Sequence, residues 1–252
     1  MQILASYNIK GGVGKTAAAV NLAYLAAADG RRVLLWDLDP QGAATFYFRV
    51  KPKVRGGSKK LLRGDRTPEQ AIRESDFPGL DLLPADFSYR HMDIELETAK
   101  KPTRQLSRLL EPLVGDYDLV ILDCPPSISL VSEAVFRAAD LLLVPVIPTT
   151  LSVRTLEQLD QFCREHNQRA ARILPFFSMV DRRKSLHREL LEELPRVWPR
   201  LLQAAIPYAS DVEKMGLKRQ PLLLYAGRSP AAIAYRGLWR ELAAYLAQGE
   251  KS

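Results

Sequence analysis

The sequence predicts an α/β fold: a single domain built on a mostly parallel, twisted β-sheet with helices on both faces. Three observations predict it. Apolar runs of strand length alternate with helical patterns along the chain. Most of those runs are continuously apolar, which is how strands buried on both faces of a parallel sheet read. The first run leads into a glycine-rich loop and then directly into a helix, the order of a βαβ unit that cradles phosphate.

The elements follow in order. Gln2–Asn8 is the first strand, and the alanine-rich stretch Ala17–Ala28 is the helix after its loop. Arg32–Trp36 is the second strand, and it runs into Asp37-Leu38-Asp39-Pro40-Gln41-Gly42, where the proline and glycine force a turn. Residues 49–66 contain Pro52, Gly56, Gly57 and Gly64 and read as a mobile surface loop. Pro68–Glu74 has a helical pattern, Leu80–Leu83 is a strand and Arg104–Leu113 a helix. Leu119–Leu122 is a strand that ends on Asp123 and is stiffened beyond it by Pro125 and Pro126. Helices at Leu130–Ala138, Ser152–Asn167 and Ser185–Glu193 alternate with strands at Leu141–Ile147 and Ile173–Met179, and Ala231–Leu246 closes the pattern as a last packed helix. In such a sheet the loops at the carboxyl ends of the strands carry the site.

Composition narrows the function classes. With 252 residues, 47% hydrophobic and 26% charged, the chain has the make-up of a globular protein that buries its core without disulfides or a structural metal. Its two cysteines, Cys124 and Cys163, are far apart and form no CxxC pair, which fits a reducing cytoplasm and gives no zinc site. No apolar stretch reads as a signal peptide or reaches the roughly 20 residues of a membrane span. The chain is therefore expected in the cytoplasm. A net charge of +7 favours polyanions as partners.

The chemistry concentrates in residues 10–16, Lys10-Gly11-Gly12-Val13-Gly14-Lys15-Thr16. The glycines let the backbone turn tightly and aim its N–H groups at phosphate oxygens. Lys15 can reach β- and γ-phosphates, the Thr16 hydroxyl can hold Mg²⁺, and Ala17 opens a helix whose positive end favours an anion. Asp37 and Asp39 at one strand end can face a metal–phosphate centre, and Asp123 at another can reach Mg²⁺ through water.

The common form of this loop has glycine five residues before Gly14, but Ile9 stands there and Lys10 precedes the glycine pair. With that departure, the deviant Walker A pattern, the chain resembles the ParA/MinD family of ATPases. The resemblance extends over essentially the full length and is strongest over residues 2–45 and 117–160. It implies ATP and Mg²⁺ as cofactors and a homodimer that forms on ATP binding, with Lys10 crossing to the partner's nucleotide. It implies that Asp39 orients or activates the attacking water, that Asp37 supports the magnesium shell, and that Asp123-Cys-Pro-Pro-Ser127 is the switch sensing the γ-phosphate. In related proteins the segments at Ser178–Arg183 and Ile206-Pro207 enclose the adenine, which makes Asp181 and Pro207 the candidate base-pocket residues. Slow hydrolysis, stimulated by a ParB-like adaptor, is also implied. Tyr208–Lys214 stands where relatives carry an arginine-rich stretch, so their DNA-contacting arginines do not transfer.

Basic residues cluster in two places. Arg49, Lys51, Lys53, Arg55, Lys59, Lys60, Arg63 and Arg66 face only Asp65 within their segment, which is expected to be an anion-binding arm for DNA phosphates or an acidic partner. A second group runs through Arg182, Arg183, Lys184, Arg188, Lys214, Lys218, Arg219, Arg228, Arg236 and Arg240. No helix-turn-helix precedes a loop that starts at residue 10, so operator reading is not expected. Non-specific binding of nucleoid DNA by the ATP dimer is, with a plasmid, chromosome region or large assembly as cargo. A MinD-like membrane ATPase is the alternative, since Ala231–Leu246 carries Arg236 and Arg240 on an amphipathic pattern. A metabolic relative, an amidoligase or metallocluster-loading enzyme, would need a substrate pocket or cysteine pair that the sequence does not display.

Overall fold

The computed structural model describes residues 1–165 and 172–249. The chain runs β1 (Gln2–Ser6), α1 (Lys15–Ala28), β2 (Val33–Asp37), α2 (Ala43–Tyr47), α3 (Gly57–Arg63), α4 (Pro68–Ala71), β3 (Arg73–Glu74) and β4 (Leu80–Leu83). It continues through α5 (Met92–Glu97), α6 (Gln105–Leu110), β5 (Leu119–Asp123), α7 (Leu130–Ala138), β6 (Leu141–Val146), α8 (Thr150–Glu165) and β7 (Arg172–Val180). The last part contains α9 (Ser185–Val197), β8 (Ala205–Pro207), three short helices α10 (Ser210–Glu213), α11 (Met215–Lys218) and α12 (Leu222–Tyr225), and the long α13 (Pro230–Gly249). The eight strands form one sheet in the order β3-β4-β2-β5-β1-β6-β7-β8, parallel except for the antiparallel edge pair β3–β4.

Alternation along each central strand explains the unbroken apolar runs. Ala5, Leu34, Trp36, Val120 and Leu122 face one layer, packed with residues of α5 to α9. Leu4, Val33, Leu35, Leu119 and Ile121 face the other, packed with α1 and α13. Both faces are covered, so both sets of side chains must be apolar. Helix α13 lays Ala232, Tyr235, Leu238, Trp239 and Leu242 into that second layer, which is the packed role expected of it. No helix among the described residues is long and apolar enough to cross a membrane.

Besides the short helices α2, α5, α10, α11 and α12, which the sequence did not announce, the structure departs from expectation in three places. Residues 49–66 are not simply a loop: they contain α3, bounded by Gly56 (φ 92°) and Gly64 (φ 80°) in the left-handed region. The glycines that read as mobility are helix boundaries, where a side chain would be strained. The helix expected over Pro68–Glu74 stops at Ala71, and Arg73 and Glu74 pair with Leu82 and Asp81 instead. A two-residue, charged edge strand is a common way to end a sheet without exposing a pairing surface. β8 was not foreseen because only Ile206 of its three residues is buried. Asn167, the expected end of the helix that starts the β6–β7 crossover, lies outside the described residues.

Candidate functional site

Three neighbouring strands deliver polar groups to one carboxyl-end crevice. β5 lies between β2 and β1, and its Asp123 pairs in register with Asp37 on one side and Ser6 on the other. The Ser6 hydroxyl donates to the Lys15 carbonyl at 2.9 Å, which ties the first residue of α1 to the end of β1. Asn8 donates through Nδ2 to the Pro145 carbonyl and accepts from the Lys10 N–H, so the loop is braced against β6. Gly12 and Gly14 hold φ at 71° and 97°, the left-handed region that admits glycine readily. At Gly14 a Cβ would stand 2.8 Å from the Ser178 Oγ, which itself donates to the Val13 carbonyl. The loop is thus pinned from β7 as well, with no room for a side chain.

The charged groups are buried without full compensation. Lys15 is only 6% exposed, and its Nζ donates to the Lys10 carbonyl at 2.9 Å. Burial lowers its pKa, against the pull of Asp123. Asp123 is fully buried and neither carboxylate oxygen has a hydrogen-bond partner. Burial first and the charge of Asp37 second push its pKa well up, with the Thr16 hydroxyl and Lys15 opposing. Asp37 accepts from the Thr45 N–H and hydroxyl through Oδ2, and its Oδ1 is buried and unpaired. Three orphaned carboxylate oxygens at adjoining strand ends are costly unless a cation or its water shell meets them. No cluster of three or more acidic, histidine or cysteine side chains among the described residues could hold a metal unaided. Mg²⁺ keeps waters and takes ligands from substrate phosphates, so its shell can meet these three oxygens.

Beside these groups opens a cavity of about 370 Å³, lined by Gly11, Gly14, Lys15, Thr16 and Asp39. Met179, Ile206, Pro207, Tyr208, Tyr47 and Tyr235 line it as well. Met179 has φ 55° where the β7–β8 register shifts, a strained backbone placed at the cavity wall. Phosphate-binding groups together with apolar and aromatic side chains fit a nucleotide in chemistry.

The profile of the AAA domain family matches residues 1–175. The sporulation initiation inhibitor protein Soj of Bacillus subtilis is 32% identical over 249 residues, covering 96% of this chain and 98% of Soj. The chain belongs to the ParA/MinD family of ATPases. The chromosome partitioning protein ParA of Caulobacter vibrioides is likewise 32% identical over 253 residues, 96% of this chain and 94% of that one. Among solved structures, cobyrinic acid a,c-diamide synthase from Mycobacterium smegmatis with bound ADP and magnesium is 30% identical at a TM-score of 0.82, covering 99% of this chain and 96% of that one. A plasmid partition protein from Borrelia burgdorferi bound to AMPPNP shares the fold at a TM-score of 0.83 and 21% identity, over 97% of this chain and 99% of its own.

Within this ParA/MinD member, the structure gathers Gly11, Gly12, Gly14, Lys15, Thr16, Ala17, Asp39 and Pro207 around the cavity. Val13 is buried behind the loop. Asp39 accepts the Gln41 N–H through Oδ1, and its Oδ2 has no partner among the described residues; Asp39 also lines the cavity. Lys10 is not among the described residues that line the cavity, and among those residues its backbone alone is engaged. Asp181 stands apart as well: Arg183 grips its carboxylate at 2.8 and 2.9 Å, which holds its pKa far below the carboxylate range. Ser178, Met179, Tyr47 and Tyr235 line the cavity instead. The segment around Ser178 was visible in the sequence. The tyrosines were not, because nothing local marks residues brought from α2 and α13.

Asp37 gives a pH test. Burial raises its pKa from 3.8 to about 6. Between those values the folded protein holds the proton more tightly than the unfolded chain, so this stabilising contribution is present below about pH 4 and is lost as pH rises through about 6. The loss is on the order of a few kcal/mol at most. Asp37→Asn is therefore expected to gain stability over the ligand-free parent as pH rises from about 4 to about 7, read by thermal melting at each pH. A difference that stays constant across that range would contradict the assignment.

Proposed function

We propose that this chain is a positioning ATPase that dimerises on ATP–Mg²⁺, holds nucleoid DNA non-specifically as a dimer, and lets go when a ParB-like adaptor stimulates hydrolysis. The observation that carries the reading is the two-lysine loop. Lys15 is folded inside its own pocket, whereas the Lys10 ammonium makes no hydrogen bond or ion pair among the described residues. A lysine with no work in its own subunit suits a role in trans.

The chemistry asked of these residues is mainly electrostatic. Mg²⁺, when bound, neutralises charge on the β- and γ-phosphates. The loop N–H groups and Lys15 orient those phosphates, and Thr16 with Asp123 would hold the metal, Asp123 through water. Asp37, held by Thr45 through Oδ2, would support the magnesium shell with its Oδ1. Asp39, with one carboxylate oxygen free, orients the attacking water. Lys10 from the other subunit would act as an arginine finger does, so that ATP joins the two protomers and its loss loosens them.

Cations left unpaired support the DNA reading. In the first basic segment Arg49 pairs with Asp76 and Arg66 donates to the Gln70 carbonyl, while Lys51, Lys53 and Arg55 remain free among the described residues. In the second group Arg183, Lys214, Arg219 and Arg236 have partners, and Arg182, Lys184, Lys218, Arg228 and Arg240 make no side-chain bond among those residues. Phosphate contacts of this kind predict salt-sensitive retention: log affinity for a random duplex should fall with log salt at about 0.9 per phosphate neutralised. Gel retention with ATP and magnesium, against ADP, tests it; no retention at low salt in the ATP state would overturn the DNA claim. A synthetase is the second reading, favoured by the 30% identical diamide synthase. ATP turnover that required an amide-nitrogen donor and ignored DNA would establish it.

A further inference from the structure

A second and larger cleft, about 970 Å³, opens between α3, α5 and α6, on the layer away from α1 and α13. Its walls carry Lys59 and Arg63 from α3, Lys100 and Lys101 from the turn after α5, and Arg104 and Arg108 at α6. All six are exposed, and none of them makes a side-chain hydrogen bond or ion pair among the described residues. Glu95 is the acid they face in the cleft, and its Oε2 is buried without a hydrogen-bond partner. Beside it Ile94 is 63% exposed, and Leu62 lines the opposite wall.

We propose that this cleft docks an acidic, amphipathic peptide segment of a partner protein. Two features converge on that ligand. Six uncompensated cations call for carboxylates, whose bidentate pairing with arginine is strong. Ile94 and Leu62 call for apolar side chains spaced along the same segment, the arrangement of a helix laid in a groove. A duplex is the weaker match, because its backbone has no apolar side chain to cover Ile94 and Leu62. The walls are also preformed. The Ser58 N–H and hydroxyl bind Ser88, Val54 N–H donates to Asp86, and the Asp93 carboxylate on α5 accepts from the Val131 N–H at the start of α7. A site that needs little ordering loses less affinity on binding.

The inference is independent of the nucleotide reading, since no cleft residue lines the phosphate loop cavity. The test uses the full chain and two fluorescein-labelled peptides. One is a Glu/Leu sequence with leucines at helical spacing and the other alternates Glu and Val; a Lys/Leu peptide and a labelled random duplex serve as controls. Anisotropy should show saturable binding of at least one acidic peptide and none of the Lys/Leu peptide. R104E/R108E should weaken that binding at least tenfold, and Ile94→Asp should weaken it separately, with ATP binding and thermal melting unchanged in both. Failure of both acidic peptides to bind overturns the proposal. So does binding that ignores both variants, or a duplex whose retention alone is lost in R104E/R108E, which would make the cleft a nucleic-acid site. ATP-dependent dimerisation is measured on the same samples, so a failure there is separate from a failure here.

Discussion

Lys10→Ala is expected to leave nucleotide binding by the monomer nearly unchanged, to abolish the ATP-dependent dimer, and to cut hydrolysis by about 10³-fold, the low end of what an arginine finger contributes in trans. The separation of effects follows from geometry. The Lys10 backbone makes the loop's contacts: its N–H meets Asn8 and its carbonyl receives the Lys15 Nζ. Alanine keeps both. The side chain, which lines no part of its own cavity, is the only thing removed. A residue acting in cis would behave differently, because its loss would weaken ground-state binding as well as turnover. Light scattering with an ATP analogue, nucleotide titration and steady-state turnover measure the three quantities. An intact ATP dimer with full turnover would remove Lys10 from the mechanism. Lys10→Arg sharpens the test, since it keeps the charge and should retain part of the dimer.

How much of this was legible beforehand depends on whether a signal is local. β1, β2, β5, β6 and β7 announced themselves because burial on two faces leaves no polar alternation to confuse them, as Leu4 and Ala5 or Leu34 and Leu35 show by facing opposite layers. The phosphate loop was legible because each residue type answers a separate demand: glycine for φ at positions 12 and 14, lysine for charge, threonine for a hydroxyl. Short helices were not legible. α3 is seven residues long and its boundary glycines resemble loop residues until the left-handed φ values are known. At Asp181, a strand-end acid reads as a ligand contact, and the structure places its carboxylate against Arg183, two residues on. The cleft between α3, α5 and α6 lay beyond sequence reasoning altogether. Only folding brings residues 59–63 next to residues 91–108.

The second large effect is a stability–function exchange at Asp123. Asp123→Asn is expected to stabilise the ligand-free protein by about 1–3 kcal/mol, the cost of leaving a buried polar group unpaired. It is also expected to reduce magnesium-dependent turnover by at least about 10²-fold, the rate equivalent of the several kcal/mol a metal supplies. Both effects have one cause. The parent holds a fully buried carboxylate with two unpartnered oxygens beside Asp37, whose Oδ1 is unpartnered too. An amide at position 123 carries no charge and brings donors to a strand end that has a surplus of acceptors. The same exchange removes the anion a magnesium shell requires. Melting in EDTA should therefore rise in the variant, whereas the further rise on adding magnesium and nucleotide should shrink relative to the parent. A residue serving only to fold the sheet could not raise one and lower the other. If the variant melted lower than the parent without ligand, Asp123 would be satisfied by something other than a metal shell, and its burial would have a structural explanation instead.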